Sequence, residues 1–79
     1  MVRVKLFANL REIAGIDEIF VDVRSLDELI EWLEKYYPKL KDLLDRGYIS
    51  VFVNCKLVRS NVPLKNDDVI ALLPPVSGG

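Results

Sequence analysis

Val69-Ile70-Ala71-Leu72-Leu73-Pro74-Pro75-Val76-Ser77-Gly78-Gly79 is the stretch that decides the fold. Its first five residues are apolar in both phases of a strand. A strand with one wet face would alternate, so this run belongs in the middle of a sheet. Each proline fixes its own φ and holds the residue before it extended. Leu73 to Val76 should therefore leave the domain as a stiff arm. Gly78 and Gly79 lack a Cβ and fit a channel too narrow for any side chain. The chain thus divides into a domain, residues 1–73, and an extended tail, residues 74–79. The α-carboxylate of Gly79 is the one carboxylate that another enzyme's active site could enclose entirely.

Working outward from that strand, residues 2–8 alternate: Val2, Val4, Leu6 and Ala8 on one face, Arg3, Lys5 and Phe7 on the other. This is a half-buried strand. Asn9 to Gly15 reads as a connection, with Gly15 able to take φ > 0, Leu10 and Ile13 tucked onto the core edge, and Arg11 and Glu12 as a solvated ion pair. Glu18 to Val23 is a second strand with Ile19, Val21 and Val23 in phase. Ser25-Leu26-Asp27-Glu28 has capping-box spacing, and Leu26, Leu29, Ile30, Leu33 and Tyr37 follow at helical intervals. Trp32 flanks this stripe and covers core edge. Pro38 ends the helix or begins a shorter one whose Leu40, Leu43 and Leu44 keep phase up to Gly47, a C′ residue. Glu31, Glu34, Lys35, Lys39, Lys41 and Asp42 form the wet face.

Tyr48 to Val53 is a third strand, Asn54-Cys55-Lys56 a turn, and Leu57-Val58 a short fourth strand. Asn61 to Asp68 is a loop in which Pro63 breaks pairing and Asn66 is the turn former. A hairpin, a helix across one face and further strands give an α+β sandwich. Placing Val69–Leu73 centrally, beside the first strand, satisfies its two-sided apolar character. The expected arrangement is a β-grasp: a mixed sheet of four to five strands packed on one main helix.

Composition limits what such a domain does. In 79 residues, 51% hydrophobic, eleven basic and twelve acidic side chains leave a net charge of −1. No basic stripe points to nucleic acid or to an anionic membrane. Without His, the commonest general base and metal ligand is missing. Cys55 is the single cysteine, so neither an internal disulfide nor a cysteine zinc site is expected. No signal-peptide pattern or membrane-spanning run appears, so the chain reads as soluble and cytoplasmic.

Few residues then remain as candidates for chemistry. Asp67-Asp68 are neighbours whose side chains diverge, which suits a solvated turn better than acid–base catalysis. Cys55 has no His to deprotonate it and neither a CxxC motif nor a helix N-terminus beside it, and reads as an incidental thiol. The outward face of the sheet says more. Phe7 and Phe52 fall in the phase where polar residues are expected, and Leu57 with either Leu72 or Leu73 should lie close to them. A contiguous patch of this kind marks an interaction surface, here at the root of the tail. No nucleophile–base pair, metal set or phosphate loop is visible. The chain reads as a carrier whose reactive group is its own end.

The residues also resemble a known family. Leu6-Phe7-Ala8 followed by Arg11-Glu12 and Gly15, then Val53-Asn54, Pro63-Leu64, Asp67-Asp68-Val69 and above all Pro74-Pro75-Val76-Ser77-Gly78-Gly79 are similar to the small subunits of molybdopterin synthase, ubiquitin-like sulfur carriers. The Pro-Pro-x-Ser/Thr-Gly-Gly ending separates these from the thiamine-pathway carriers. Asn66 stands where the family usually has Gly, and Asn also tolerates φ > 0.

The resemblance implies that a ubiquitin-activating-type enzyme, using ATP and Mg²⁺, adenylates Gly79, and that a sulfur donor converts the acyl-adenylate to a thiocarboxylate. The tail then threads into the large subunit of molybdopterin synthase, in a heterotetramer, and the sulfur is delivered to the pyranopterin precursor. The large subunit would supply most active-site residues, and this chain would bind no cofactor itself. By similarity Phe7, Leu57 and Leu73 join Phe52 in the docking surface, Pro74, Pro75, Val76 and Ser77 form the threaded arm, and Gly78 precedes the reactive Gly79. Three alternatives share parts of this picture: a ubiquitin-like modifier conjugated through Gly79 to lysines, a thiamine-pathway carrier, and a plain binding module with an inert tail.

Overall fold

A computed structural model of the chain describes residues 1–75. The elements follow as β1 (Val2–Leu6), α1 (Asn9–Ala14), β2 (Glu18–Val21), α2 (Leu26–Tyr36), α3 (Pro38–Asp45), β3 (Ser50–Val53), β4 (Lys56–Val58) and β5 (Val69–Leu73). The five strands form one sheet in the order β2-β1-β5-β3-β4. β5 is central, parallel to β1 and antiparallel to β3, and the other pairings are antiparallel. The sheet is therefore mixed, with the final strand where its two-sided apolar sequence demands. Val2, Val4, Leu6, Ile19, Val21, Val51, Ile70 and Leu72 point to the helix side and are buried with Leu10, Leu26, Leu29, Leu33 and Leu40.

The sequence explains how α2 starts and stops. Ser25 Oγ accepts from Glu28 N at 3.2 Å, Asn61 Oδ1 accepts from Asp27 N at 2.9 Å, and Val62 O accepts from Leu26 N at 2.9 Å. The N–H groups of Leu26, Asp27 and Glu28, three of those left without an intrahelical partner at this end, are thus occupied. Glu28 Oε1 reaches back to Arg24 N at 2.9 Å, one residue beyond the usual capping-box target, the N–H of Ser25. Pro38 drives Tyr37 out of helical geometry, to φ −137 and ψ 64, and itself opens α3. α3 closes in a Schellman motif: Gly47, at φ 81, donates to Leu44 O at 3.1 Å, and Tyr48 N donates to Leu43 O at 2.9 Å. On the wet face, Lys41 lies 2.6 Å from Asp45 and 3.5 Å from Glu34, and its hydrogen bond to Asp45 raises its pKa.

Several expectations need correction. The connection from Asn9 to Gly15 is a short helix, α1, with Leu10 buried and Ala14 half-buried one turn on. One turn and a half is too short to show a periodic pattern. Arg11 and Glu12 are exposed and form no ion pair with each other; as helix neighbours they point away from one another. The loop before β5 takes its positive φ at Asp67 (φ 70), not at Asn66. Asn66 instead accepts the N-terminal amine of Met1 at 2.9 Å. Pro63 does not break pairing but forms an isolated antiparallel bridge with Ser25. Its flanking residues make the bonds, Leu26 N to Val62 O and Leu64 N to Arg24 O, so its missing N–H is never called on.

Candidate functional site

One face of the sheet packs on the helices and the other is open. Register fixes what the open face carries, because directly paired residues project to the same side. Leu57 of β4 lies opposite Phe52 of β3, Phe52 opposite Ala71 of β5, Ala71 beside Lys5 of β1, and Lys5 opposite Glu18 of β2. One row of side chains thus crosses all five strands. The next row toward the tail holds Ser50 opposite Leu73. Phe7 N donates to Leu72 O at 3.2 Å, the last rung of the β1–β5 ladder, which brings Phe7 alongside Leu73.

The candidate docking residues differ in exposure. Phe7 is 40% exposed and Leu57 45% exposed, while Phe52, Leu73 and Pro74 are half-buried and Pro75 exposed. Leu72, the alternative to Leu73, is only 1% exposed and belongs to the core. The open face therefore gathers Phe7, Phe52, Leu57 and Leu73 at the end of the sheet where β5 runs out into Pro74-Pro75. Val76, Ser77, Gly78 and Gly79, the expected arm and reactive end, lie outside the described residues.

Phe20 was missed. It is 57% exposed, and its phase opposite to Ile19 and Val21 was the available signal. It pairs with Arg3, on the same face but away from the tail root. Charges lie between it and the patch: Arg3 Nε sits 2.8 Å from Glu18 Oε2, and Lys5 stands in the central row. A groove of about 650 Å³ runs on the helix side of β3 and β4, with Leu26, Ile30, Ile49, Val58 and Pro75 among its walls.

Asp68 is more than part of a solvated turn. Its carboxylate accepts from Lys65 N at 2.8 Å and from Asn54 Nδ2 at 2.9 Å. These bonds, the one from the Lys65 backbone first, hold its pKa below the usual carboxylate value. The cluster sits at the start of β5, at the opposite end of that strand from the tail. Cys55, exposed in the β3–β4 turn, lies at that far end too. Among the described residues no group of three or more His, Cys, Asp or Glu is placed to hold a metal, and no helix is long and apolar enough to cross a membrane.

What the arrangement offers is an apolar platform at the end of the sheet where β5 runs out into Pro74-Pro75. The ThiS family matches residues 4–79. The molybdopterin synthase sulfur carrier subunit of Dictyostelium discoideum is 34% identical over 82 residues, covering 98% of this chain and 94% of the relative. The solution structure of small archaeal modifier protein 1 from Methanosarcina acetivorans superposes with a TM-score of 0.83 at 35% identity, covering 99% and 95% of the two chains. A chain in the protein–protein complex of subunits 1 and 2 of molybdopterin-converting factor from Helicobacter pylori matches with a TM-score of 0.74 at 35% identity, covering 99% and 97%. The chain belongs to the ThiS family, alongside the sulfur carrier subunits of molybdopterin synthase.

Proposed function

We propose that this chain is the sulfur-carrying subunit of a molybdopterin synthase. The observation that carries the reading is the patch of Phe7, Phe52, Leu57 and Leu73 at the root of a sequence ending in Pro-Pro-Val-Ser-Gly-Gly. Its likeness to a chain of the two-subunit converting factor supports a large subunit as the partner.

The chemistry follows from the terminus. A carboxylate is a poor electrophile, so an adenylating enzyme first joins a Gly79 oxygen to the α-phosphorus of ATP, with Mg²⁺ on that enzyme, and releases pyrophosphate. A sulfur nucleophile then attacks the acyl carbon and expels AMP, leaving a thiocarboxylate. The large subunit receives the tail, with Gly78-Gly79 in its narrowest part, and the thiocarboxylate sulfur attacks the pyranopterin precursor. Hydrolysis of the acyl intermediate restores the carboxylate. Orientation and exclusion of water come from the partner, and the nucleophile from this chain. Dependence on ATP suits a cytoplasmic setting.

The decisive experiment is intact-mass analysis after incubation with an adenylating enzyme, ATP and a sulfur donor. Replacement of one oxygen by sulfur at Gly79, followed by loss of that sulfur to the large subunit's substrate, is the expected result. An end that is never modified would refute the reading. Likeness to an archaeal modifier protein favours a second outcome, in which the activated Gly79 acyl group is captured by lysines of other proteins. Conjugates on those proteins would reveal it.

A further inference from the structure

The open face is not wholly apolar, and its charges do not cancel. Arg3, Lys5 and Glu18 are the charged side chains that the strand register places on it. Glu18 is engaged by Arg3 at 2.8 Å. Lys5 sits between Ala71 and Glu18 in the row that begins with Leu57 and Phe52, two residues before Phe7 in the chain. It is half-buried, and no ion pair of Lys5 forms among the described residues. Long cationic side chains commonly lay an apolar stem along such a row and keep the ammonium in water, which suits the half-burial of Lys5.

Covering the face changes that balance. An ammonium taken out of water without a counter-charge is strongly destabilising, whereas one met by a carboxylate is held and read specifically. We infer that Lys5 is a specificity-determining residue, and that the large subunit docking on this face presents an aspartate or glutamate opposite it within an otherwise apolar contact. This rests on the docking role proposed above. A surface lacking that carboxylate would bury an unpaired charge and be rejected, which is how one apolar platform tells its partner from others.

The test uses the full chain and the large subunit from the same organism, with affinity measured at low and high salt. Lys5→Met keeps the stem and removes the charge, and should weaken binding by about 30-fold or more, with Lys5→Glu weaker still. Lys5→Arg should keep most of the affinity. The gap between wild type and Lys5→Met should narrow as salt rises. Thermal melting checks that each variant folds; should Lys5→Met not fold, the comparison of Lys5→Arg with Lys5→Glu decides. Phe7→Ala and Leu57→Ala separate the two levels of argument. If they lose affinity while Lys5→Met binds as wild type does, this inference alone is overturned. If the wild type does not bind, or Phe7→Ala and Leu57→Ala bind unchanged, the docking role falls and this inference with it.

Discussion

Asn54 clamps Asp68: its Nδ2 donates to Asp68 Oδ1 at 2.9 Å, while its Oδ1 accepts from Val69 N at 3.0 Å. A further bond from Asn54 N to Val69 O at 2.8 Å completes the contact. One side chain thereby ties the β3–β4 turn to the start of the central strand, at the end of the sheet remote from the tail. Asp68 O also accepts from Arg3 N at 2.9 Å, so the same few residues set where β1, β5 and β3 begin or end.

The clamp predicts an acid-sensitive contribution to stability. Asp68 has its pKa lowered in the folded state, so its carboxylate form favours folding. That contribution is complete above the unfolded value, near 3.8, and is lost as pH falls through the lower folded value. Asp68→Asn should be less stable than wild type at neutral pH by about 1 kcal/mol, the exposure of the group keeping the effect modest. The difference should shrink below the unfolded value. Urea unfolding of both proteins across that range checks it, and a constant difference would show that the hydrogen bonds are not what Asp68 contributes.

Three tight turns place non-glycine residues at positive φ, at Ala8, at Asn54-Cys55 and at Asp67, and relieving the first two should stabilise the fold. Asn54 and Cys55, at φ 49 and φ 70, form the two-residue β3–β4 turn, whose geometry favours Asn-Gly. Cys55→Gly should gain about 1 kcal/mol. Ala8, at φ 54 and ψ −132, occupies the first central position of a turn closed by Leu10 N to Phe7 O at 3.1 Å. That position suits glycine, and Ala8→Gly should gain about 1 kcal/mol by the same argument. Equilibrium denaturation measures both; a loss of stability in either variant would mean that the side chain's contacts outweigh the strain.

These positions also show where the sequence could be read and where it could not. The centrality of β5 was legible because Val69 to Leu73 is apolar in both phases, and the α2–α3 break because Pro38 acts on its predecessor through sterics alone. Phe7, Phe52 and Leu57 were legible by phase. Choosing Leu73 over Leu72 was not, since a strand apolar on both sides carries no phase signal of its own. α1 escaped because a helix of six residues has no room for a repeat. The turn at Asn54-Cys55 was legible, but the positive φ of Cys55 and of Ala8 was not, because neither residue type favours that geometry. The Asn54–Asp68 clamp joins residues fourteen apart whose side chains advertise only turns.

The docking face should be separable from the core by mutation. Phe7→Ala should weaken binding to the large subunit by about 10-fold or more, since exposed aromatics at the centre of a contact carry much of its energy. The midpoint of thermal unfolding should hardly move, because 40% of Phe7 is already in water. Leu57→Ala should behave alike. Calorimetric titration and thermal melting together check this. A large fall in melting temperature with intact binding would place Phe7 among the residues that hold the fold.

Deletion of Gly79 gives the sharpest contrast between fold and chemistry. Among the described residues the last buried side chain is that of Leu72 and the sheet ends at Leu73, so the fold should not depend on Gly79. Thermal stability and affinity for the large subunit should stay close to wild type. Charging should nevertheless be abolished, because the acyl carbon would then belong to Gly78, one residue short of the adenylating site. The expected observation is an unchanged melting curve with no oxygen-to-sulfur exchange in the intact mass. Sulfur transfer by the shortened chain at the wild-type rate would show that the length of the arm does not position the reacting carbon, and the carrier mechanism would have to be abandoned.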